Sequence, residues 1–217
     1  MTQKERMIQG LIFDACDPEI MELQHPYKRK LWAFNQLDPF DAEGREAYMK
    51  EVFAECGEGC YIEPPFRASW GGAHVHFGNG VYANFNLTLL DDGHIYVGSR
   101  VLFGANVVVA TANHPLSAKL RRYETQYNRD VHIGENVWIG SGAIILPGVT
   151  IGKDSVIGAG SVVTRDIPEG VLAVGSPCRV VREIGQRDQE FYYRDERIDW
   201  DDLTHICEAK KDLPKFL

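Results

Sequence analysis

The sequence contains no long apolar run and has little positive charge. The first ten residues, MTQKERMIQG, lack the apolar core of a signal peptide, and no later stretch approaches membrane-spanning length. The 217 residues include 23 lysines and arginines against 31 aspartates and glutamates, which gives a formal net charge of −8. Because nucleic-acid binders present a basic face, this balance argues against binding to a phosphate backbone. We expect a cytoplasmic globular protein.

Cysteine is also scarce, and the five residues are scattered along the chain. An odd, dispersed set does not make a disulfide framework, so free thiols in a reducing compartment are expected. Cys56 and Cys60 have the spacing of half a metal site, but no second pair accompanies them. We therefore predict no metal. The full set is Cys16, Cys56, Cys60, Cys178 and Cys207.

Residues 131–166, VHIGENVWIGSGAIILPGVTIGKDSVIGAGSVVTRD, carry an apolar residue every six positions. A helix requires apolar residues every three to four positions and a strand requires alternation, so a period of six fits neither alone. It fits short strands joined by tight corners, with one apolar residue per unit facing inward. This pattern predicts an all-β fold, a parallel β-solenoid. The inward residues are Ile133, Ile139, Ile145, Ile151, Ile157 and Val163.

The same ladder extends upstream with two irregular steps. Between Leu89 and Val97 the step is eight, so we expect Asp91 and Asp92 to protrude from an insertion. Between Val109 and Ile133 the step is twenty-four and the sequence is highly charged, which predicts a loop over residues 112–130 that leaves the solenoid and re-enters in register. The upstream members are Phe77, Ala83, Leu89, Val97, Phe103 and Val109. Twelve units predict four triangular coils.

The regions flanking the ladder have a different character. Residues 1–60 are predicted to be a helical cap, with capping-box spacing at Thr2 and an N-cap followed by a first-turn proline at Asp17. The last helix of this cap should end at Gly57, a suitable C-cap residue. The solenoid is expected over residues 61–182, and residues 183–217 form a charged tail with a short helix in WDDLTHICEAKK.

Three polar or aromatic residues interrupt the structural pattern. His114 lies at the root of the loop, where it could act as a general base or only stabilise the turn before Pro115. Asn84 stands where most units carry glycine, so it could be a corner residue in the left-handed conformation. Trp138 lies at an outward position, which favours either ligand stacking or packing against a neighbouring chain.

Several motifs together resemble the hexapeptide-repeat acyltransferase family that uses acetyl-coenzyme A. They are NHP at the loop root, VWIGSGAIILPGVTIG, VIGAGSVVTRDIP and VGSPCRVV. FDACDPE, EPPF and YANFNLTLLDD narrow the resemblance to the galactoside and maltose O-acetyltransferase group. The resemblance covers roughly residues 3–200.

The resemblance implies a left-handed parallel β-helix, a cytoplasmic homotrimer and active sites shared between subunits. It also implies that His114 is catalytic and that acetyl-CoA is the cosubstrate. Acceptor-binding positions of the group are matched by Asp14, Ser69, Tyr82, Asn84 and Asp92. Coenzyme A positions are matched by Asn84, Trp138, Ser141, Ala159, Thr164, Arg179 and Arg182.

The expected reaction moves an acetyl group to a sugar hydroxyl, most simply the 6-hydroxyl of a galactoside, glucose or maltose. Three residues depart from the family pattern on the acceptor side: Gln126 replaces a methionine over the sugar, Asp130 a proline, and Trp70 a tyrosine. Other hydroxylated acceptors, namely an oligosaccharide, a glycan precursor or an antibiotic, therefore stay open.

Two other functions use the same solenoid. A γ-class carbonic anhydrase holds its metal with histidines of adjacent chains, and the histidines available here are His74, His76, His94 and His132. Neither the loop nor the exit sequence matches that class. A scaffold that only trimerises would have no reason to keep His114, Trp138 and the two arginines.

Overall fold

A computed structural model describes residues 1–209 of the chain. Its centre is a triangular prism of three sheets, whose parallel strands stack along one axis. Sheet I contains β2 (Glu55–Cys56), β5 (Val75–Phe77), β8 (Ile95–Val97), β13 (Val131–Ile133) and β16 (Thr150–Ile151). Sheet II contains β3 (Tyr61–Ile62), β6 (Tyr82–Ala83), β9 (Leu102–Phe103), β14 (Trp138–Ile139), β17 (Val156–Ile157), β19 (Val171–Val174) and the antiparallel β20 (Arg179–Glu183). Sheet III contains β4 (Arg67–Ala68), β7 (Thr88–Leu90), β10 (Val108–Ala110), β15 (Ile144–Ile145) and β18 (Val162–Val163).

The sixfold ladder forms the interior of the prism. All twelve predicted inward residues are buried, and eleven of them are isoleucine, valine, leucine or phenylalanine. The coils are close enough that a side chain on Gly140 would bring its Cβ to 2.5 Å from the Ala159 nitrogen. The small residues behind the ladder therefore keep adjacent coils in hydrogen-bonding contact.

The solenoid is longer than the predicted four coils. An additional coil precedes it, with Cys56, Ile62 and Ala68 paired in register to Phe77, Ala83 and Leu89. A further partial coil follows, in which Ile167 bridges to Ile151 and Ala173 pairs with Ile157. The first coil was missed because the step from Ala68 to Phe77 is nine, which breaks the period of six.

The loop re-enters in register, as predicted. Val97 pairs with Ile133 and Val109 pairs with Ile145, so the residues between them add no coil. Within the excursion, β11 (Ala112–Asn113) pairs with β12 (Thr125–Asn128), and α4 (Ala118–Arg121) lies between them. On its other edge β12 pairs with β1 (Phe13–Asp14) from the N-terminal region. A three-stranded antiparallel sheet therefore joins the loop to the cap.

The helical cap contains α1 (Gln3–Ile8), α2 (Pro18–Phe34) and α3 (Ala42–Val52). The capping box at Thr2 and the Asp17 cap are both present, with Pro18 opening the second helix. The predicted end at Gly57 was wrong: α3 ends at Val52, and Phe53 is already extended. Met49, Val52 and Phe53 are buried against the solenoid, whose first strand begins at Glu55.

The tail begins after β20. It contains α5 (Gln186–Glu190), a hairpin of β21 (Phe191–Tyr193) and β22 (Glu196–Arg197), and α6 (Trp200–Ala209). The predicted helix in WDDLTHICEAKK is confirmed as far as Ala209, and its last two residues lie outside the described range. Among residues 1–209, no helix has the length and apolar character needed to cross a membrane.

Candidate functional site

His114 lies at the base of the protruding loop, directly after β11. Its backbone N–H donates to the Asn113 side chain, and its Nδ1 atom lies 2.8 Å from the carbonyl oxygen of Thr125. Because a carbonyl oxygen only accepts hydrogen bonds, Nδ1 must carry the proton in this contact. In the neutral ring, Nε2 is then the basic nitrogen. The side chain is exposed, so Nε2 is available to remove a proton from a ligand.

The three-stranded sheet of the loop brings two predicted acceptor residues next to this histidine. Asp14 pairs with Thr125, and Phe13 pairs with Gln126. Gln126 is buried, and its side-chain amide donates to Asn128 at 3.1 Å. Asn128 in turn donates to the backbone carbonyl of Asp92 at 2.8 Å. A hydrogen-bonded chain thus links the loop to the corner where Asp92 lies.

That corner follows the strands of sheet III, and we call it the III–I corner. Ser69 lies there after β4, and Asp92 lies there after β7. The loop that carries His114 leaves the prism at the same corner, after β10. Beside it, a cavity of about 250 Å³ is bordered by Asp92, His74, His94, Asn128, Asp130 and residues 7–10 of the cap.

Asp91 does not protrude, contrary to the sequence-based expectation. Its side chain is fully buried, and the carboxylate accepts hydrogen bonds from the backbone N–H groups of Trp70 at 2.8 Å and Gly72 at 2.9 Å. Burial raises the pKa of Asp91 to about 6. The insertion therefore folds inward as a support for the 69–72 turn, and only Asp92 of the pair reaches the cavity.

The departures Trp70 and Asp130 also have structural roles. Trp70 is buried between the cap and the solenoid, with its ring centre 5.2 Å from that of His74. The Asp130 carboxylate accepts a hydrogen bond from the His94 backbone at 2.9 Å. Burial is the main cause that lowers the pKa of His74 and of His94, so both imidazoles favour the neutral form.

A second group of predicted residues stacks on the corner after the sheet II strands, the II–III corner. Asn84, Gly104, Gly140 and Gly158 occupy equivalent positions in successive coils, each donating its N–H to the next coil. At 4.7–4.9 Å per coil, these four positions extend about 14 Å along the axis. The predicted residues on this corner are Asn84, Ser141 and Ala159.

Asn84 is not the left-handed corner residue of its turn. That conformation belongs to Asn86, with φ of 62°. The Asn84 side-chain oxygen accepts from the Phe85 backbone N–H at 2.8 Å, which closes the turn locally. Ser141 is exposed, and within residues 1–209 its backbone N–H has no protein acceptor. It is therefore a donor available to a ligand.

The outward column of sheet II leads toward the two predicted arginines. Tyr82, Leu102, Trp138, Val156 and Leu172 pair in register along it. Trp138 is 54% exposed, as expected from its outward position. At the end of the sheet, Leu172 pairs with Arg182 and Val174 pairs with Arg179.

The two arginines have different surroundings. Arg182 makes a bidentate salt bridge with Asp188, both N–O distances being 2.7 Å, and the bridge lowers the pKa of Asp188 to about 2. Arg179 donates to the Cys178 carbonyl and has no carboxylate within ion-pair distance in the described part of the chain. Arg179 is thus the more available of the two for an anionic ligand.

One chain does not bring the two groups together. The His114 group lies on the III–I corner, whereas Asn84, Ser141 and Ala159 lie on the II–III corner. Sheet III separates them by a unit of about six residues, on the order of 15–20 Å when extended. Thr164 follows β18 and lies on the III–I corner, away from the other predicted coenzyme A positions.

Two residues that contact the site were not predicted from the sequence. The Thr125 carbonyl orients His114, and Asn128 connects Gln126 to Asp92. Every residue type has a backbone carbonyl, so nothing in the sequence could have indicated the role of Thr125. Asn128 could have been noticed as a polar residue two positions after Gln126, where alternation in a strand places both on one face.

The four histidines considered for a metal do not converge on one point. His76 Nε2 lies 2.9 Å from His94 Nδ1, and His76, Tyr96 and His132 form a stack of rings on sheet I. In residues 1–209, the group of three possible ligands that lies close enough for one ion is Asp14, Cys16 and Glu124, without a histidine. Within residues 1–209 of one chain, these histidines thus form no three-ligand metal site.

Comparison with known proteins adds an independent line of evidence. Residues 130–165 match the bacterial transferase hexapeptide (six repeats) model, and residues 6–57 match the maltose acetyltransferase hexapeptide capping motif. A galactoside O-acetyltransferase of Lactococcus lactis is 50% identical over 193 residues, covering 84% of this chain and 93% of the relative. Its Escherichia coli counterpart is 44% identical over 200 residues, covering 92% and 98%.

A solved structure gives the same result for the fold. A galactoside acetyltransferase in complex with coenzyme A superimposes with a TM-score of 0.88 at 43% identity, covering 92% of this chain and 99% of that one. The fold is a left-handed parallel β-helix with a helical cap, as expected. The chain belongs to the hexapeptide-repeat acyltransferases, within the galactoside and maltose O-acetyltransferase group.

Proposed function

We propose that the protein transfers an acetyl group from acetyl-CoA to a sugar hydroxyl, with His114 as the general base. The observation that supports this best is the contact between His114 Nδ1 and the Thr125 carbonyl, because it leaves Nε2 unprotonated in the neutral ring. A positioned base of this kind accelerates a reaction by about 10²–10⁴-fold. The protein would act in the cytoplasm.

The II–III corner fits a long, thin ligand with phosphates at one end. Glycines at this corner let adjacent coils stack closely along it, Trp138 is exposed beside it, and Arg179 lies at its far end. When bound there, acetyl-CoA supplies an acetyl group already activated as a thioester. We assign its contacts to Asn84, Trp138, Ser141, Ala159 and Arg179, with Arg182 and Thr164 as peripheral members.

The reaction requires proton transfer and stabilisation of negative charge. His114 Nε2 removes the acceptor hydroxyl proton as the oxygen bonds to the thioester carbon. The Ser141 N–H, which has no partner among residues 1–209, donates to the developing oxyanion. As the carbon–sulfur bond breaks, His114 returns the same proton to the leaving thiolate. All of this takes place in one ternary complex, and no acetyl-enzyme is needed.

The acceptor is held by short polar side chains around His114. Asp14, Ser69 and Asp92 lie on or beside the III–I corner, and carboxylates and hydroxyls of this kind bind sugar hydroxyls. Gln126 acts through its buried link to Asn128 and Asp92 rather than by lying over the sugar. We assign the reacting group as the primary 6-hydroxyl of a galactoside, glucose or maltose unit.

Completion of the site requires a second subunit. The two corners are separated within one chain, so His114 of one subunit would face the II–III corner of its neighbour, including Tyr82 and Asn84. The outward residues beside that corner are apolar, with Leu102 and Ile144 each 37% exposed. On the loop, Leu116 is 96% exposed, which favours its burial against another chain. A homotrimer would bring the two corners together, cover the apolar residues beside the II–III corner and bury Leu116.

The test is an acceptor panel with product analysis. Acetyl-CoA is incubated with galactosides, glucose, maltose, their 6-deoxy analogues and amino sugars, while free thiol release is followed and products are examined by NMR. We expect 6-O-acetyl products and loss of turnover with the 6-deoxy analogues. Preferential N-acetylation of amino sugars, or equal turnover of the 6-deoxy analogues, would show that the assignment is wrong.

A further inference from the structure

Arg121, the last residue of α4, binds the segment of the loop that directly follows His114. One guanidinium nitrogen, Nη1, donates to the carbonyl oxygen of Pro115 at 3.0 Å and to that of Leu116 at 2.5 Å. Both hydrogens of this nitrogen are thereby used, one for each carbonyl. The two residues after the histidine are therefore fixed relative to α4.

Arg121 is also connected to the other end of the loop. Its backbone carbonyl accepts from the N–H of Glu124 at 3.1 Å, and the Thr125 hydroxyl donates to the carbonyl of the neighbouring Leu120 at 3.0 Å. Thr125 is the residue whose carbonyl oxygen accepts from the ring of His114. Arg121 thus links the residues that follow His114 to the residue that precedes Thr125.

Hydrogen bonds rather than apolar burial hold this part of the loop in one chain. No residue of α4 is buried, and Leu116 is 96% exposed. Among the described residues, no carboxylate lies within ion-pair distance of Arg121, so its guanidinium is not drawn away from the two carbonyls. Because an ionised donor makes hydrogen bonds roughly twice as strong as a neutral one, these two contacts should dominate the local order.

We propose that Arg121 is a positioning residue for acetyl transfer, which keeps His114 Nδ1 against the Thr125 carbonyl by holding residues 115–116 to α4. This inference rests on the proposed function, in which His114 is the general base. Without the guanidinium, the segment after His114 loses both contacts with α4. The ring can then leave the carbonyl and take the other tautomer, with its proton on Nε2, the nitrogen that should be basic.

Steady-state kinetics with acetyl-CoA and a galactoside separate positioning from donor binding. Arg121→Ala should lower kcat about 10-fold, a part of what a general base supplies, and leave the KM for acetyl-CoA unchanged. Arg121→Lys should recover some of this loss, because an ammonium group can bind a carbonyl but lacks the planar fork. An unchanged kcat in Arg121→Ala would overturn the proposal.

Arg122→Ala is the matched control. It removes the same charge from the next residue, whose exposed side chain makes no hydrogen bond or ion pair within residues 1–209. Its kcat should stay within about twofold of wild type, since surface charges of this kind contribute little. An equal loss of kcat in Arg122→Ala and Arg121→Ala would show that loop charge matters rather than the contacts of Arg121.

A double variant distinguishes positioning from general loosening of the loop. If Arg121 acts through His114, then Arg121→Ala should change kcat by less than about twofold in the His114→Ala background. Equal relative losses in both backgrounds would contradict the positioning role and leave His114 as the base. Wild-type kcat in His114→Ala alone would instead contradict the proposed function.

Nitrogen NMR on protein labelled with ¹⁵N-histidine measures the contact without any acceptor. The His114 signals are assigned by their absence in His114→Ala, and spectra are recorded at about pH 8.5, where an ordinary histidine is neutral. Wild type and Arg122→Ala should show the tautomer protonated on Nδ1, and Arg121→Ala should show a mixture of both tautomers. The same single tautomer in all three proteins would show that Arg121 does not hold the ring.

Discussion

The Nδ1 atom of His114 lies 2.8 Å from the carbonyl oxygen of Thr125, across the base of the protruding loop. Thr125 also pairs with Asp14 on its other side. A single strand of the loop therefore fixes the tautomer of the proposed base and holds a proposed acceptor residue beside it. Because the orienting group is a backbone carbonyl, it is determined by the fold of the loop rather than by a side chain.

Removal of charge at Asp92 should weaken acceptor binding selectively. Asp92→Asn is expected to raise the acceptor KM about 10-fold, with little change in the KM for acetyl-CoA, because only the sugar should touch this carboxylate. Steady-state kinetics with each substrate varied in turn provide the measurement. Asp154→Asn, at an exposed corner where Asp154 accepts from Asn136, is the control and should behave like wild type. Equal effects on both KM values would argue against the assignment.

The two arginines should differ in their contribution to coenzyme A binding. Arg179→Ala is expected to raise the KM for acetyl-CoA about 10-fold, an effect that decreases with added salt. Arg182→Ala should have a smaller effect, because the Arg182 guanidinium is already bound to Asp188. Titration calorimetry with coenzyme A at two salt concentrations distinguishes them. A larger loss of coenzyme A affinity in Arg182→Ala than in Arg179→Ala would contradict the assignment.

Asp91 should support the fold through its two backbone hydrogen bonds. In Asp91→Asn only one carboxamide oxygen remains to accept from Trp70 and Gly72, so a buried N–H loses its partner at a cost of about 1–3 kcal/mol. Chemical denaturation at pH 7 measures this loss. A variant as stable as wild type would show that the buried contacts are replaceable.

The raised pKa of Asp91 should make the stability of the protein depend on pH. The pKa of Asp91 is about 6 in the folded chain against an ordinary value of 3.8, so between these values the native state binds more protons. Unfolding then releases protons, and the contribution of Asp91 to the free energy of unfolding falls as pH rises from about 4 to 6, by up to ~3 kcal/mol. The difference in the free energy of unfolding between wild type and Asp91→Asn should therefore decrease from about pH 4 to pH 6. A flat difference would contradict the raised pKa.

The shared-site arrangement predicts both a mass and a complementation result. Light scattering on the purified protein should give about three times the 24.4 kDa chain mass. Co-expressed His114→Ala and Asn84→Ala chains should regain part of the activity that each lacks alone, because mixed assemblies contain sites with both residues intact. An active monomer, or no recovery in demonstrably mixed assemblies, would refute sharing between subunits.

The regular part of the fold could be predicted because one buried residue per unit determines it. The ladder from Phe77 to Val163 and the in-register return after the loop both follow from that rule. The rule failed where an insertion interrupted the spacing, which hid the coil of Cys56, Ile62 and Ala68. A separate prediction, that α3 ends at Gly57, failed because Phe53 is buried in an extended conformation and ends the helix earlier.

The candidate site was less predictable for a different reason. Period and residue type placed Trp138 outward and His114 at the loop root, but they did not reveal which polar residues would be buried. Asp91 and Asp92 are adjacent and chemically alike, yet only the fold of the 69–72 turn buries one and leaves the other at the cavity. The stacking of His76, Tyr96 and His132 likewise depends on register between coils, which residue type alone does not determine.

The most direct test of the account is the turnover of His114→Ala. The variant should lose about 100-fold or more in kcat with a sugar acceptor, because a general base acts in the transition state. Its affinity for acetyl-CoA, measured by calorimetry on the same preparation, should stay nearly unchanged, since other residues hold the donor. A folded variant that keeps wild-type kcat would contradict general-base catalysis by His114.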